Sequence, residues 1–164
     1  MPSRDYQRYD AVINTPLPGR NNRLAILTQD DKLQEVLFVN HSTKLKLPKN
    51  FFVKRVIEQL EAYFSESDFK FTLPLVLEGT NYQKSVWNRL RECPKGKVWT
   101  YGELARRIHS APRAVGNACR RNPVPIVIPC HRVVSANGMG GYEGQTSGTY
   151  LSIKQWLLQH ESVI

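Results

Sequence analysis

Thr80 followed by Gln83, and Thr100 followed by Glu103, are two capping boxes, in which a hydroxyl and a longer polar side chain satisfy donors left open at a helix start. Each stands before a helical run, "NYQKSVWNRLREC" and "TYGELARRIH". A third start follows at once, with Ser110 as cap and Pro112 in the first position of a helix through "RAVGNACRRN", which stops before Pro123. Residues 80–122 are thereby committed to short helices joined by tight turns. The last two form a helix-turn-helix pair, the pattern in which a second helix enters a DNA groove.

The chain before this point follows other rules. "DAVINT", "RLAILTQ" and "LQEVLFVN" read as strands, the last two joined through Asp30, Asp31 and Lys32 as a hairpin. In "FFVKRVIEQLEAYFSES" the apolar Val53, Val56, Ile57, Leu60, Tyr63 and Phe64 recur at helical spacing, and "FTLPLVL" reads as an extended segment interrupted by Pro74. The change of character falls near Glu78 and Gly79. An α+β chain is expected, with an α/β domain at 1–78 and a mostly helical domain at 79–164.

Charge divides the chain at the same place. Of the formal net charge of +9, residues 1–79 hold 11 basic against 10 acidic side chains, and residues 80–164 hold 12 against 4. A basic half with clustered arginines suits a surface that meets phosphates, and it also suits a merely solubilising one. In the third helix Ala114, Gly116 and Ala118 stand beside Arg113, Asn117, Arg120 and Arg121. Gly116 costs about 1 kcal/mol relative to alanine within a helix, which points to close approach of another backbone or to tight packing inside the protein.

The N-terminus carries no apolar leader, and no window approaches the roughly 18 apolar residues of a spanning helix, so an intracellular protein without a membrane is expected. Cys93, Cys119 and Cys130 form no CxxC pair and leave one thiol over under any pairing, so free thiols are expected rather than a disulfide framework or a zinc cage.

The remaining feature is "VPIVIPCHRVVSANG", which reads as a buried strand that ends at Pro129 and delivers Cys130, His131 and Arg132 in succession. Cysteine attacks only as the thiolate, and a thiol of pKa about 8.5 is a few per cent ionised at neutral pH. His131 is a candidate to take the proton, but neighbours on an extended strand face opposite ways, so a water or a turn must intervene. A cysteine after an apolar run also reads as a small buried hydrophobe. Arg132 reads as an ion-pair partner or a DNA contact; His41, His109 and His160 read as surface or packing residues.

"NPVPIVIPCHRVV", with "TYGELA", "RAVGNACRRNP" and the closing "KQWLLQHE", closely resembles the O6-alkylguanine-DNA alkyltransferases, or methylated-DNA-protein-cysteine methyltransferases, from Glu78 to about Ser162. The resemblance implies a ribonuclease-H-like N-terminal domain and a winged-helix C-terminal domain. It implies double-stranded DNA containing O6-alkylguanine as partner, held through the minor groove, with O4-alkylthymine as a further lesion. The damaged nucleotide is flipped out, and its alkyl group moves irreversibly to a cysteine. No cofactor, no metal and no obligate protein partner follow from it; the zinc ligands of some members have no counterpart, since residues 1–79 hold no cysteine and only His41.

Carried over residue by residue, the resemblance makes Cys130 the alkyl acceptor, His131 its base through water, Glu161 the group that orients His131, and Asn122 the brace of the active-site turn. This pairing should hold the thiol pKa below about 8.5. Tyr101 would help rotate the phosphate and donate to the guanine ring. Pro125, Val133 and Tyr142 would surround the base, the carbonyls of Cys130 and Val133 taking its amine and the backbone N–H of Glu143 its oxygen. Arg113 would fill the gap in the stack, and Ala114, Gly116, Asn117, Arg120 and Arg121 would complete the DNA face. Cys119 stands where a larger residue is usual, and "EGQTSGTYLSI" is longer than the usual glycine-rich connection, which bears on the pocket lid.

These residue types suit the chemistry. Displacing guanine from an alkyl carbon calls for a soft, strong nucleophile, and donors aimed at the departing oxygen lower the barrier. The carbon is inaccessible in stacked duplex, hence flipping, at a cost of a few kcal/mol. A thioether is not hydrolysed, so one chain repairs one lesion. A damage sensor would lack Cys130, a plain winged-helix regulator would not need Cys130, His131 and Glu161 together, and a cysteine hydrolase would turn over.

Overall fold

Asp30 and Asp31 adopt the left-handed backbone, φ 50° and 56°, that a two-residue hairpin connection demands. They join β2 (Arg23–Gln29) to β3 (Lys32–Val39), and β1 (Ala11–Asn14) pairs antiparallel with the other side of β2, giving the order β1-β2-β3. In this computed structural model, residues 4–143 and 148–164 are described. They contain small sheets and helices, an α+β fold. The chain divides into two compact units, residues 1–77 and 78–164. No helix among the described residues is long and apolar enough to cross a membrane.

In the first unit α1 (Arg4–Arg8) precedes the sheet, whose interior is built by Ala11, Val12, Leu24, Ala25, Ile26 and Leu33. Helix α2 (Phe51–Ser65) is capped by Asn50, whose side chain accepts from the Val53 N–H at 2.8 Å, and it buries Val53, Val56, Ile57, Leu60 and Tyr63, the stripe expected from the sequence. Its Gln59 exchanges two hydrogen bonds with Thr72, at 2.9 and 3.0 Å. The segment after Phe71 makes a single bridge, Leu75 to Leu33.

The second unit opens with α3 (Asn81–Leu90), and both capping boxes are formed as their spacing predicts. Gly79 precedes the first box because a Cβ there would lie 2.7 Å from the Trp87 ring. Trp87 is buried and donates from Nε1 to the carbonyl of Ala118 at 2.8 Å, tying α3 to α5 (Pro112–Arg120). Between them lies α4 (Tyr101–Arg107), entered from β4 (Trp99–Thr100), which pairs in parallel with β5 (Val133–Val134). Helix α6 (Thr149–His160) closes the unit with Ile153, Leu157 and Leu158 inward.

Two local expectations are corrected. Ser110 does not cap α5: the cap position is Ala111, without a side-chain bond, and the Ser110 hydroxyl pairs with that of Tyr82 at 2.6 Å. Pro112, with its missing N–H and fixed φ, starts the helix alone. Nor is Val124–Pro129 a strand. Ile126 sits at φ 76° and the Ile128 N–H turns back to the Val124 carbonyl at 2.9 Å, so the apolar run is a folded buried loop.

Candidate active site

The loop ends in a single 3-10 turn, Cys130–Arg132, which carries the thiol and the imidazole. This turn, not a strand, relieves the geometric objection to neighbouring side chains cooperating. Asn122 braces it from below: its amide donates to the Ile128 carbonyl at 2.8 Å and its oxygen accepts the Val124 N–H at 3.0 Å. A buried loop leaves backbone polar groups that need such partners, and one asparagine supplies a donor and an acceptor together.

Behind the turn lies an ionic cluster. His131 Nε2 and Glu161 Oε2 are 2.7 Å apart and both side chains are wholly buried. Arg132 donates from Nε to Glu161 Oε1 at 2.8 Å, from Nη2 to Oε2 at 3.1 Å, and from Nη1 to the Cys93 carbonyl at 2.6 Å. The choice left open for Arg132 is thus decided for the ion pair. Burial opposes ionisation of Glu161, but the hydrogen bonds from His131 and Arg132 and the charge of Arg132 overcome it and hold the carboxyl well below its usual range. Burial also keeps His131 below its usual range, against the pull of Glu161. A neutral imidazole donating from Nε2 to the carboxylate has its lone pair on Nδ1, which is buried with no hydrogen-bond partner among the described residues.

The thiol itself departs from expectation. Burial pushes Cys130 far above the ordinary thiol range, the ionisable Glu143 and Cys119 nearby add to the rise, and a hydrogen bond from Asn122 with the positive Lys154 acts the other way. Burial thus favours the protonated thiol, the opposite direction to the lowered pKa expected from pairing with His131 and Glu161. Cys93 and Cys119 are likewise free and buried, with burial lifting them to about 11 and about 12.

Lys154 escaped sequence reasoning. Its side chain on α6 is fully buried, and Nζ donates to the carbonyls of Val133 at 2.7 Å and Gly141 at 2.9 Å. Burial brings its pKa down to about 8. Only its position on the inward face beside Ile153 hinted at this, since a lone lysine in a helix normally reads as surface. The Val133 carbonyl therefore already accepts one hydrogen bond, as does that of Cys130, from the Val133 N–H. Each keeps one lone pair for a ligand.

The parallel pairing of Trp99 with Val133 sets the first residue of α4, Tyr101, beside the turn. Burial raises the Tyr101 phenol to about 12, with the charges of Cys119 and Cys130 next. Gly140, at φ 73°, leaves room for this ring; a Cβ there would stand 3.2 Å from it. Pro125, Val133 and Tyr142 are buried, and Glu143 is half-buried. The connection residues 144–147, on which the reading of the pocket lid rests, lie outside the described residues.

Helix α5 presents the other half. Arg113, Asn117 and Arg120 lie exposed along one side, with Arg121 following, while Val115, Ala118 and Cys119 are buried. None of the three arginines has an ion-pair partner among the described residues. A Cβ on Gly116 would meet only the Tyr101 ring, at 4.0 Å, so internal packing does not require the glycine there. Ala114 and Gly116 are half-buried beside the arginines. His41 and His109 are exposed, and His160 stacks on Trp156.

Fold and site together define a thiol protein, with one cysteine set before a buried histidine and carboxylate, and a basic helical face in the same unit. Residues 81–163 match the family model "6-O-methylguanine DNA methyltransferase, DNA binding domain". A methylated-DNA–protein-cysteine methyltransferase of Methanosarcina mazei is 44% identical over 144 residues, covering 83% of this chain and 89% of its own. One of Methanosarcina acetivorans is 39% identical over 93% of this chain and 97% of its own. Mycobacterium tuberculosis OGT in complex with DNA superposes with a TM-score of 0.75 at 31% identity, over 92% of this chain and 90% of that one. The chain belongs to the methylated-DNA–protein-cysteine methyltransferase family.

Proposed function

We propose that the protein repairs DNA by direct reversal, moving a methyl or other alkyl group from O6-alkylguanine in duplex DNA to its own Cys130, once per chain. The observation that carries this reading is the buried pair of His131 and Glu161, 2.7 Å apart behind a turn that bears the thiol. A structural cysteine needs no such machinery. When an alkylated base enters, the Cys130 proton passes through water to His131 Nδ1, and Glu161 balances the imidazolium. The sulfur attacks the alkyl carbon, the carbon–oxygen bond breaks and a thioether remains.

The site's other residues take roles around this step. Asn122 holds the turn, and Tyr101 donates to the guanine ring. Pro125, Val133 and Tyr142 enclose the base. The backbone N–H of Glu143 meets the departing oxygen. DNA is held through the minor groove by α5, with Arg113 filling the stack and Ala114, Gly116, Asn117, Arg120 and Arg121 along the backbone. The unit from 79 onward then serves as a winged-helix domain, with α4, α5 and the β4–β5 pair as its core, and residues 1–78 as a ribonuclease-H-like companion. O4-alkylthymine is a second lesion on this reading. Intact-mass analysis after incubation with a duplex carrying O6-methylguanine tests the whole: one CH₂ gained per chain, on Cys130, is expected. Repeated turnover, or methyl on Cys93 or Cys119, would overturn it.

A further inference from the structure

We infer that the side-chain carboxyl of Glu143 is a catalytic acid of this site, giving its proton to the guanine oxygen that departs when Cys130 takes the alkyl group. The inference rests on the alkyl-transfer reading and adds to it a side chain where only a backbone N–H had a role.

Three observations meet at this residue. Glu143 holds a left-handed backbone, φ 51°, which a long side chain adopts seldom and which must be stabilised by its surroundings. Its Oε1 is buried and has no hydrogen-bond partner among the described residues. Its carboxyl lies within electrostatic range of the Cys130 sulfur, and were it ionised it would oppose the thiolate. A carboxylate does not persist buried beside a nucleophile without a cation; a carboxylic acid does, and it brings an O–H to donate. Burial accordingly lifts the Glu143 carboxyl to about 7, against 4.5 ordinarily.

The other titratable groups around the sulfur are committed elsewhere or hold their protons too tightly. Lys154 from α6 donates to the carbonyls of Val133 and Gly141, and His131 is paired with Glu161. Cys119 from α5 and Tyr101 from α4 are both lifted to about 12. Among the described residues Glu143 alone combines a loosely held proton with a carboxyl oxygen that none of them engages. The proton count closes: the thiol proton goes to His131, the sulfur–carbon bond forms, the carbon–oxygen bond breaks, and its electron pair takes the Glu143 proton. An imidazolium and a carboxylate are left, neutral in sum, and guanine leaves uncharged.

The test compares two electrophiles on the full chain. Transfer from free O6-benzylguanine needs a proton at the leaving oxygen, whereas alkylation of Cys130 by iodoacetamide expels iodide and needs none. Glu143→Ala should slow the first by about 100-fold, the scale of losing one donor to a developing oxyanion, and should not slow the second. Glu143→Gln, which keeps an N–H donor but no transferable proton, should fall between wild type and Glu143→Ala on O6-benzylguanine. Unchanged benzyl transfer in Glu143→Ala would overturn the assignment. So would equal losses on both reagents, which would mean that Glu143 only supports the thiol. Failure of the wild-type chain to accept the benzyl group while still reacting with iodoacetamide would instead overturn the alkyl-transfer reading, and the inference with it.

Discussion

The turn at Cys130 and the face of α5 lie in one unit and are built on opposite principles. Around the turn, Asn122, His131, Lys154 and Glu161 are buried polar groups, each held by partners of matching chemistry. On α5 the arginines stand in water without ion pairs among the described residues. Buried charge is costly to strip of its partner, whereas an exposed arginine costs the fold little to keep or lose. Chemistry and recognition are therefore separable by mutation, because they draw on different free energies.

The sharpest way to break this comparison is at the sulfur. Cys130→Ser should abolish alkyl transfer while leaving DNA affinity nearly intact, since phosphate contacts dominate such binding. Loss of both in a folded variant, measured by gel shift and intact mass, would mean the two regions are not separable. Next in size is Glu161→Gln, which leaves Arg132 and His131 without their carboxylate and should cost about 3–5 kcal/mol of stability in chemical denaturation. A change within 1 kcal/mol would show the cluster to be better solvated than its burial indicates.

Acid should act on the same cluster. His131 and Glu161 both have folded pKa values depressed below their ordinary 6.5 and 4.5. Each contributes stability that is present above those values and is lost as pH falls, because the unfolded chain binds the proton first. Denaturation midpoints should therefore decline below about pH 6.5 and more steeply below about pH 4.5, and the lower decline should be absent in Glu161→Gln.

The α5 face should respond to smaller perturbations only. Arg113→Ala should slow repair of a paired lesion about 10-fold more than transfer from free O6-benzylguanine, because extrusion costs a few kcal/mol and the free base avoids it. An equal loss on both substrates would move Arg113 into the fold or the pocket. Smallest of all, Arg121→Ala should leave transfer from the free base unchanged and lower the slope of log affinity against log salt by about 0.9, the signature of one phosphate contact. An unchanged slope would remove it from the interface.

What the residues disclosed beforehand follows the range of the interactions involved. The boxes at Thr80 and Thr100 were legible because a cap spans three residues, and the α2 stripe because helical period is local. Ser110 misled because its hydroxyl is claimed by Tyr82, a partner no local rule supplies. The loop at Val124–Pro129 imitated a strand because apolar content reports burial and not φ, and the left-handed Ile126 has no signature in its residue type. Cys130 and His131 stood out by their place after the apolar run, whereas Glu161 and Asn122 came only from resemblance to a family, and the structure sets both against the turn that carries the pair. Lys154 was missed because its worth lies in two carbonyls of distant segments.

The pairing of Glu161 with His131 has a bearing on how the protein comes into being. Synthesis proceeds from the N-terminus, so Cys130 emerges from the ribosome well before the carboxylate that completes its surroundings. Without α6, His131 has no Glu161 to pair with and the buried Lys154 is missing from behind the Val133 carbonyl. The pairing of His131 with Glu161 is made only once α6 is in place. A chain without residue 161 would thus carry the thiol beside a histidine that lacks its carboxylate partner.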